Sequence, residues 1–125
     1  MSMRFENPHY PGSAAFGRAF AVAPEAERRS LLVALALEEE DLGFALPRVL
    51  QATADGIGPV GVICLGHLIR RFRRRAEAGL RAKPTLVAAA LARHSPHEGA
   101  VDDLLDDTAV FAPGLLPVLR AALGC

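Results

Sequence analysis

Apolar residues recur at helical spacing in short blocks of this chain, and prolines and glycines separate the blocks. Leu31, Leu35 and Ala36 follow Pro24 at such a spacing, and the segment DGIGP, residues 55–59, ends the next block. A single short helix cannot bury its apolar face without a neighbour. The pattern therefore predicts several short helices that pack on one another.

The same spacing and the same breaks set the expected helix positions. A first-turn proline is typical of a helix start, and Pro24, Pro84 and Pro113 each precede an apolar block. A polar link around Gly79 is expected between two of the helices. The predicted helices cover about residues 24–40, 42–54, 60–74, 83–93, 98–111 and 113–123, with a short helix from Ser13 before them.

The composition favours helices over strands. Hydrophobic residues make up 51% of the chain and are mostly Ala, Leu and Val, with six Phe, one Tyr and no Trp. The length of 125 residues suits one domain. We expect an irregular arm over residues 1–12 and one all-α domain over 13–125, in which segments 42–74 and 83–111 are helical pairs. Repeats of this kind predict a short α-solenoid of about three stacked helical hairpins.

Cysteine usage and hydropathy indicate where such a chain works. Cys64 lies in an apolar run and Cys125 is the last residue, so no disulfide is expected. No charged-then-apolar leader opens the sequence, and no apolar run approaches the length of a membrane span. The sequence predicts a cytoplasmic protein without a membrane partner.

Two segments carry a resemblance to a known family. LGHLIRRFRR, residues 65–74, is followed by EGAVDDLLDDTAVF, residues 98–111. Together they resemble small bacterial HEAT-like proteins with a Gly-His-Leu-Ala-Arg segment and a later Asp-Ala-Leu-Asp-Asp segment. Several of those proteins sit beside polymorphic or contact-dependent toxins and are taken to be immunity proteins. The resemblance, over about residues 30–111, implies a HEAT-like fold and a protein partner.

This chain departs from the family pattern at three places. Ile57-Gly58 stands where the turn usually has Val-Arg, Ile69 replaces the Ala of Gly-His-Leu-Ala-Arg, and Phe44 replaces an expected Trp. These changes leave the expected fold intact. HEAT stacks are general binding scaffolds, so the resemblance does not fix the partner.

Charged residues form strips on two of the predicted helices. Residues 67, 70, 71 and 74 lie along one strip by their helical spacing, and the four aspartates between 102 and 107 form an acidic strip. Stacked hairpins place such strips side by side. The sequence predicts ion pairs between repeats that join His67, Arg70 and Arg71 to Asp102 and Asp106.

A second acidic group ends the predicted helix 24–40. Glutamates at a helix C-terminus oppose the helix dipole at a cost of about 0.3 to 1 kcal/mol each. Either Asp41 caps the next helix while the glutamates meet Arg28, Arg29 or Arg48, or the group faces a basic protein. The residues predicted to bind a partner are Glu38, Glu39, Glu40, Asp41, Asp103 and Asp107.

The arginine run supports a different kind of partner. Arg73, Arg74 and Arg75 exceed the carboxylates within reach, so they are candidates for phosphate contacts. A solvated helix end explains the run as well. The run lacks interleaved aromatic residues apart from Phe72, which we expect in the core. Nucleic acid is therefore the less favoured partner.

No recognisable catalytic motif accompanies these strips. His94, His97 and Glu98 in HSPHE offer metal ligands, but a surface turn with so few ligands is a weak site, so no metal or cofactor is expected. The leading hypothesis is a non-enzymatic protein-binding module, an immunity or antitoxin-like factor that occludes a cognate toxin domain. The alternatives are an arginine-dependent binder of nucleic acid or phosphate ligands, and a structural adaptor subunit. The oligomeric state stays open.

Overall fold

The computed structural model describes residues 10–125, which form eight α-helices and one 3₁₀ turn and contain no β-strand. Most of the predicted arm lies outside the described residues; Tyr10, Pro11 and Gly12 precede the first helix without regular structure. The helices are α1 (Ser13–Val22), α2 (Glu25–Glu38), α3 (Leu42–Ala54), α4 (Pro59–Phe72), α5 (Arg74–Arg81), α6 (Pro84–Leu91), α7 (Gly99–Phe111) and α8 (Leu116–Leu123), with the 3₁₀ turn at Pro113–Leu115 between the last two.

Glycine and proline set the turn between α3 and α4. Gly56 and Gly58 have φ angles of 93° and 99°, a backbone region that glycine enters without steric cost. Pro59 then occupies the first turn of α4, where its missing N–H leaves no bond unmade. The DGIGP segment is thus a tight link that returns the chain against α3.

The sequence predicted a polar link around Gly79, but this segment is helical and belongs to α5. Ala76 and Leu80 lie four residues apart on α5, and both are fully buried. This helix has few apolar residues, so its sequence lacks a clear stripe, and tertiary contacts of those two side chains stabilise it. Arg73, with φ 52° and ψ −115°, separates α4 from α5 and changes the chain direction.

One hydrophobic core receives side chains from all eight helices. Phe16 of α1 packs against Phe20 and stands edge-on to Phe44 of α3, which closes one end of the core. Phe72 is only partly buried, at the edge of that core. The largest fully buried side chains are Leu32, Leu35, Leu46, Leu50, Leu65, Leu68, Ile69, Leu80, Leu91, Leu104, Leu115 and Leu119.

The helices lie in two rows. Helix α4 packs between α2 and α7 in one row, while α6 packs between α3 and α8 in the other. Helices α3 and α4 form a closely packed hairpin that joins the rows, whereas α6 and α7 make few direct contacts with each other. As a result α2, α4 and α7 present neighbouring surfaces, and the charged strips of α4 and α7 are adjacent.

Candidate protein-binding surface

Helices α4 and α7 bring the arginine strip and the aspartate strip together at one pair. Arg70 Nη1 donates to Asp107 Oδ2 across the helix contact, and both side chains are partly exposed. Gly66 lets the carboxylate approach, since a Cβ there would lie 3.2 Å from Asp107 Oδ2. An exposed ion pair of this kind contributes about 0 to 1 kcal/mol, so it orients the helices more than it stabilises them.

The partner of Arg70 differs from the predicted one. The sequence pointed to Asp102 or Asp106, yet neither of them makes an ion pair within residues 10–125. The core buries Val101, Leu104 and Thr108 of α7. Their burial fixes the rotation of α7 about its own axis, which turns Asp107 toward α4 and leaves Asp102 and Asp106 exposed. Asp107, assigned to the partner surface from sequence, is therefore engaged inside the molecule.

His67 joins the same network. Its Nδ1 atom contacts Arg70 Nη2, so the neutral ring accepts a hydrogen bond from the guanidinium. Burial, and then the nearby charge of Arg70, lowers the pKa of His67, while Asp107 opposes that shift. The ring is consequently a neutral acceptor near pH 7 and makes no ion pair with an aspartate.

Arg71 also has a different role from the predicted one. Its Nη1 donates to the Ala36 carbonyl oxygen at 2.7 Å, and its guanidinium lies 4.6 Å from the centre of the Phe72 ring. Helix α4 lies between α2 and α7, and the bond to Ala36 shows that Arg71 is on the side of α4 that faces α2. Arg71 thus binds a backbone carbonyl near the C-terminal end of α2 and has no aspartate partner.

The acidic group at the end of α2 is only partly satisfied inside the fold. Glu39 accepts a hydrogen bond from the Tyr10 hydroxyl and a second one, at 3.0 Å, from the Asp41 amide. The hydrogen bond from Tyr10, followed by the one from Asp41, lowers the pKa of Glu39. Burial, followed by the bond to Glu39, raises the pKa of Tyr10. Glu38 and Glu40 remain exposed.

The internal partners expected for these glutamates are occupied elsewhere. Arg29 pairs with Glu25 at 2.6 Å, Arg28 lies over Phe20, and Arg48 lies over the ring of Phe44. Asp41 precedes α3 as expected, but its side chain makes no capping hydrogen bond. Within residues 10–125, then, no arginine forms an ion pair with the acidic end of α2.

Two shallow clefts flank the exposed side of α4. The cleft toward α2 has a volume of about 280 Å³, and the cleft toward α7 has about 290 Å³. Ile63 and Leu37 are large apolar side chains on this surface, 44% and 47% exposed. The α2 cleft is lined by Arg29, Ser30, Val33, Ala34, Leu37, Glu38 and Val60, and the α7 cleft by Val62, Ile63, Gly66, Arg70, Ala100, Asp103, Leu104, Asp106 and Asp107.

Charge on these clefts is unevenly compensated. Arg29 pairs with Glu25, and Arg70 pairs with Asp107, so both cations of the two linings have internal partners. The carboxylates of Glu38, Asp103 and Asp106 make no ion pair in the described part of the chain. The surface formed by the two clefts and the exposed strip of α4, here called the α4 surface, is apolar and net acidic.

The arginine run is divided between two sides of α5. Arg73 lies over the ring of Phe111 at 5.0 Å, whereas Arg75 lies over Phe72 at 5.2 Å. Arg74 lines a cleft of about 430 Å³ that also contains Arg81 and Glu77. None of the three candidate phosphate ligands, Arg73, Arg74 and Arg75, forms an ion pair with a described carboxylate.

The HSPHE turn is held by its own side chains. His94 Nδ1 and Glu98 Oε1 are 3.0 Å apart, and Glu98 Oε2 accepts from the Ser95 amide at 2.8 Å. The bond from Ser95, then the one to His94, lowers the pKa of Glu98. His97 is exposed. No group of three or more His, Cys, Asp or Glu in residues 10–125 is arranged to hold a metal ion.

Sequence reasoning missed two features of this region. Tyr10 lies far from Glu39 in sequence, and no local pattern marks their hydrogen bond. Ile63 lies on the same face of α4 as the charged strip, one turn before His67, and this spacing could have identified it as an exposed apolar residue.

Comparison with protein-family models, curated proteins and solved structures gives no match to this chain. None of the helices between Tyr10 and Cys125 combines the length and the hydropathy needed to cross a bilayer.

Proposed function

We propose that this chain is a non-enzymatic protein-binding module, an immunity or antitoxin-like factor that occludes a cognate toxin domain. The observation that carries the proposal is a set of carboxylates that make no ion pair within residues 10–125: Glu38 at the end of α2, Glu40 in the link to α3, and Asp103 and Asp106 on α7. Such carboxylates suit a cationic partner, since complementary charge steers association and disfavours wrong partners.

The scaffold in this proposal is a short HEAT-like α-solenoid. The helix pairs would be α1–α2, α3–α4 and α6–α7, with α8 closing the stack; α6 and α7 follow each other in the chain but make few direct contacts. The side-by-side packing of α2, α4 and α7, and of α3, α6 and α8, supports it. A stack of this kind holds Glu38, Asp103 and Asp106 on rigid helices.

Co-expression tests the immunity role. Candidate toxin domains from neighbouring genes are produced with and without the chain, and cell survival and co-purification are measured. We expect survival and a stable complex with one domain. Glu38→Lys with Glu40→Lys should weaken that complex, whereas Glu27→Lys with Asp102→Lys, exposed positions with the same change in charge, should not. If no cells survive although this chain is abundant and folded, and if no toxin domain co-purifies with it, the immunity role is ruled out.

The arginine run favours a second candidate, binding of nucleic acid or a phosphate ligand in a cytoplasmic setting. Arg73, Arg74 and Arg75 lie at the start of α5, where the helix dipole disfavours cations, and they make no ion pair within residues 10–125. Fluorescence anisotropy with a labelled single-stranded oligonucleotide tests it. Affinity should fall steeply with salt and with Arg74→Glu plus Arg75→Glu, but little with Arg18→Glu plus Arg120→Glu. A flat response to salt would exclude this candidate.

A further inference from the structure

The α4 surface combines an apolar centre with an acidic rim. Leu37 and Ile63 are the exposed large apolar residues of α2 and α4; Val33 and Val60 line the α2 cleft with Leu37, and Ile63 lines the α7 cleft. Glu38 lies at one side of this apolar centre, and Asp103 and Asp106 lie at the other. An apolar area enclosed by polar side chains is typical of a site that buries its centre against another protein.

The charge of the rim determines the sign of the charge that a complementary partner carries. The two cations in the cleft linings, Arg29 and Arg70, each already pair with a carboxylate. The three rim carboxylates Glu38, Asp103 and Asp106 have no ion pair within residues 10–125. A partner segment that covers this surface removes those carboxylates from water. This desolvation costs free energy unless the segment supplies cations that pair with them. The complementary segment is therefore basic.

The form of the surface selects the conformation of that segment. Strand addition needs an exposed sheet edge, and residues 10–125 contain no strand. Recognition of a proline-rich helix needs an aromatic groove, and neither cleft is lined by an aromatic residue. Apolar grooves between helices instead accept an amphipathic helix, which inserts side chains at i, i+3, i+4 and i+7.

The two clefts have the form expected of such grooves. Val62 and Ile63 of α4 line the α7 cleft together with Ala100 and Asp103 of α7, and Arg70 pairs with Asp107 across the same two helices. Each cleft is a groove between neighbouring helices, with Ile63 on the ridge that separates them. Volumes of about 280 and 290 Å³ suit inserted side chains better than a drug-sized molecule.

We propose that the α4 surface docks a basic amphipathic helix of a partner protein, with the apolar side chains of that helix against Ile63 and Leu37 and its lysines or arginines against Asp103, Asp106 and Glu38. This inference rests on the proposed function, because it specifies the partner segment of a protein-binding module. It does not require that the partner be a toxin.

A peptide titration tests the docking surface without a known partner. The probe is a short synthetic helix of leucine and lysine, and the control is its leucine–glutamate counterpart; binding is followed by amide chemical shifts of the labelled, full-length protein. We expect the lysine peptide to shift amides around Leu37, Ile63 and Asp103. Absence of those shifts, shifts confined to other helices, or equal binding of the glutamate peptide would overturn the inference.

Matched variants separate the apolar and the charged contributions. Ile63→Asp should weaken binding of the lysine peptide at least about tenfold, whereas Val22→Asp, at the exposed large apolar residue of α1, should leave it unchanged. Asp103→Lys should weaken it at least about threefold, and Asp102→Lys, also exposed but outside the cleft, should not. Equal effects of a variant and its control in folded proteins would contradict the assigned surface.

The titration and the co-expression experiment fail separately. Binding of the lysine peptide with no toxin complex would remove the immunity role and retain the docking surface. A toxin complex that survives Ile63→Asp and Asp103→Lys would retain the function and overturn the surface.

Discussion

At the residue scale, Gly61 is the position where α3 and α4 leave no room for a side chain. A Cβ at Gly61 would overlap Thr53 Oγ1 and lie 3.0 Å from Thr53 Cβ. Thr53 is itself fixed, because its hydroxyl donates to the Val49 carbonyl oxygen at 2.7 Å in the buried interface. The close packing of the α3–α4 hairpin therefore depends on a glycine at this position.

Replacement of that glycine should destabilise the protein. Gly61→Ala gains up to about 1 kcal/mol in helix propensity but loses about 1 to 3 kcal/mol to overpacking, so the free energy of unfolding should fall. Gly17→Ala is the matched control, because nothing lies within 4 Å of its added Cβ on α1, and it should raise stability. Urea unfolding measures both, and a Gly61→Ala protein as stable as Gly17→Ala would contradict the close approach.

His67 gives a residue-scale prediction on pH. Its pKa is lowered in the folded protein, so the unfolded chain binds more protons at mildly acidic pH. The stability that depends on the neutral ring is complete above about pH 6.5 and is lost as the pH falls toward the folded-state pKa. As the pH is lowered through that window, the free energy of unfolding of the wild type should fall relative to that of His67→Gln. Parallel pH profiles of the two proteins would contradict it.

At the element scale, the contact between α4 and α7 sets which charged residues meet. Helical spacing predicted that the arginine and aspartate strips adjoin, and the two helices do lie side by side. It could not predict that Asp107 rather than Asp106 reaches Arg70, because the rotation of α7 depends on which of its side chains the core buries. Helix α5 escaped detection for a related reason: only Ala76 and Leu80 anchor it, and both contacts are tertiary.

A double-mutant cycle tests the register of these two helices. Arg70→Ala and Asp107→Ala should couple by up to about 1 kcal/mol in the free energy of unfolding, since the pair is partly exposed. The matched cycle of Arg70→Ala with Asp106→Ala should give a coupling near zero, because Asp106 makes no ion pair in the described chain. A larger coupling in the second cycle would show that α7 is rotated by one position.

At the scale of the whole molecule, one core joins all eight helices of residues 10–125, and the cysteines report on it. Cys64 is fully buried, and burial raises the pKa of its thiol to about 12, whereas Cys125 is exposed. Sequence alone located Cys64 in an apolar run and predicted an all-helical chain. It could not supply the α4 surface, which forms from three helices that are distant in sequence.

Thiol labelling with Ellman's reagent follows from that burial. Cys125 should react at once and Cys64 only at the rate of an opening that exposes the core, a rate that rises with denaturant. The control is Cys125→Ser, in which only the slow reaction of Cys64 should remain. Immediate reaction of both thiols in the native protein would contradict a single closed core.

The most direct measurement of the central claim is a calorimetric titration of this chain, at low and high salt, with a candidate toxin domain chosen by the co-expression experiment. The account predicts a saturable complex that weakens as salt screens the acidic α4 surface, and that Asp103→Lys weakens more than Asp102→Lys does. A complex indifferent to both salt and Asp103→Lys, or no heat of binding at either salt concentration, would contradict it.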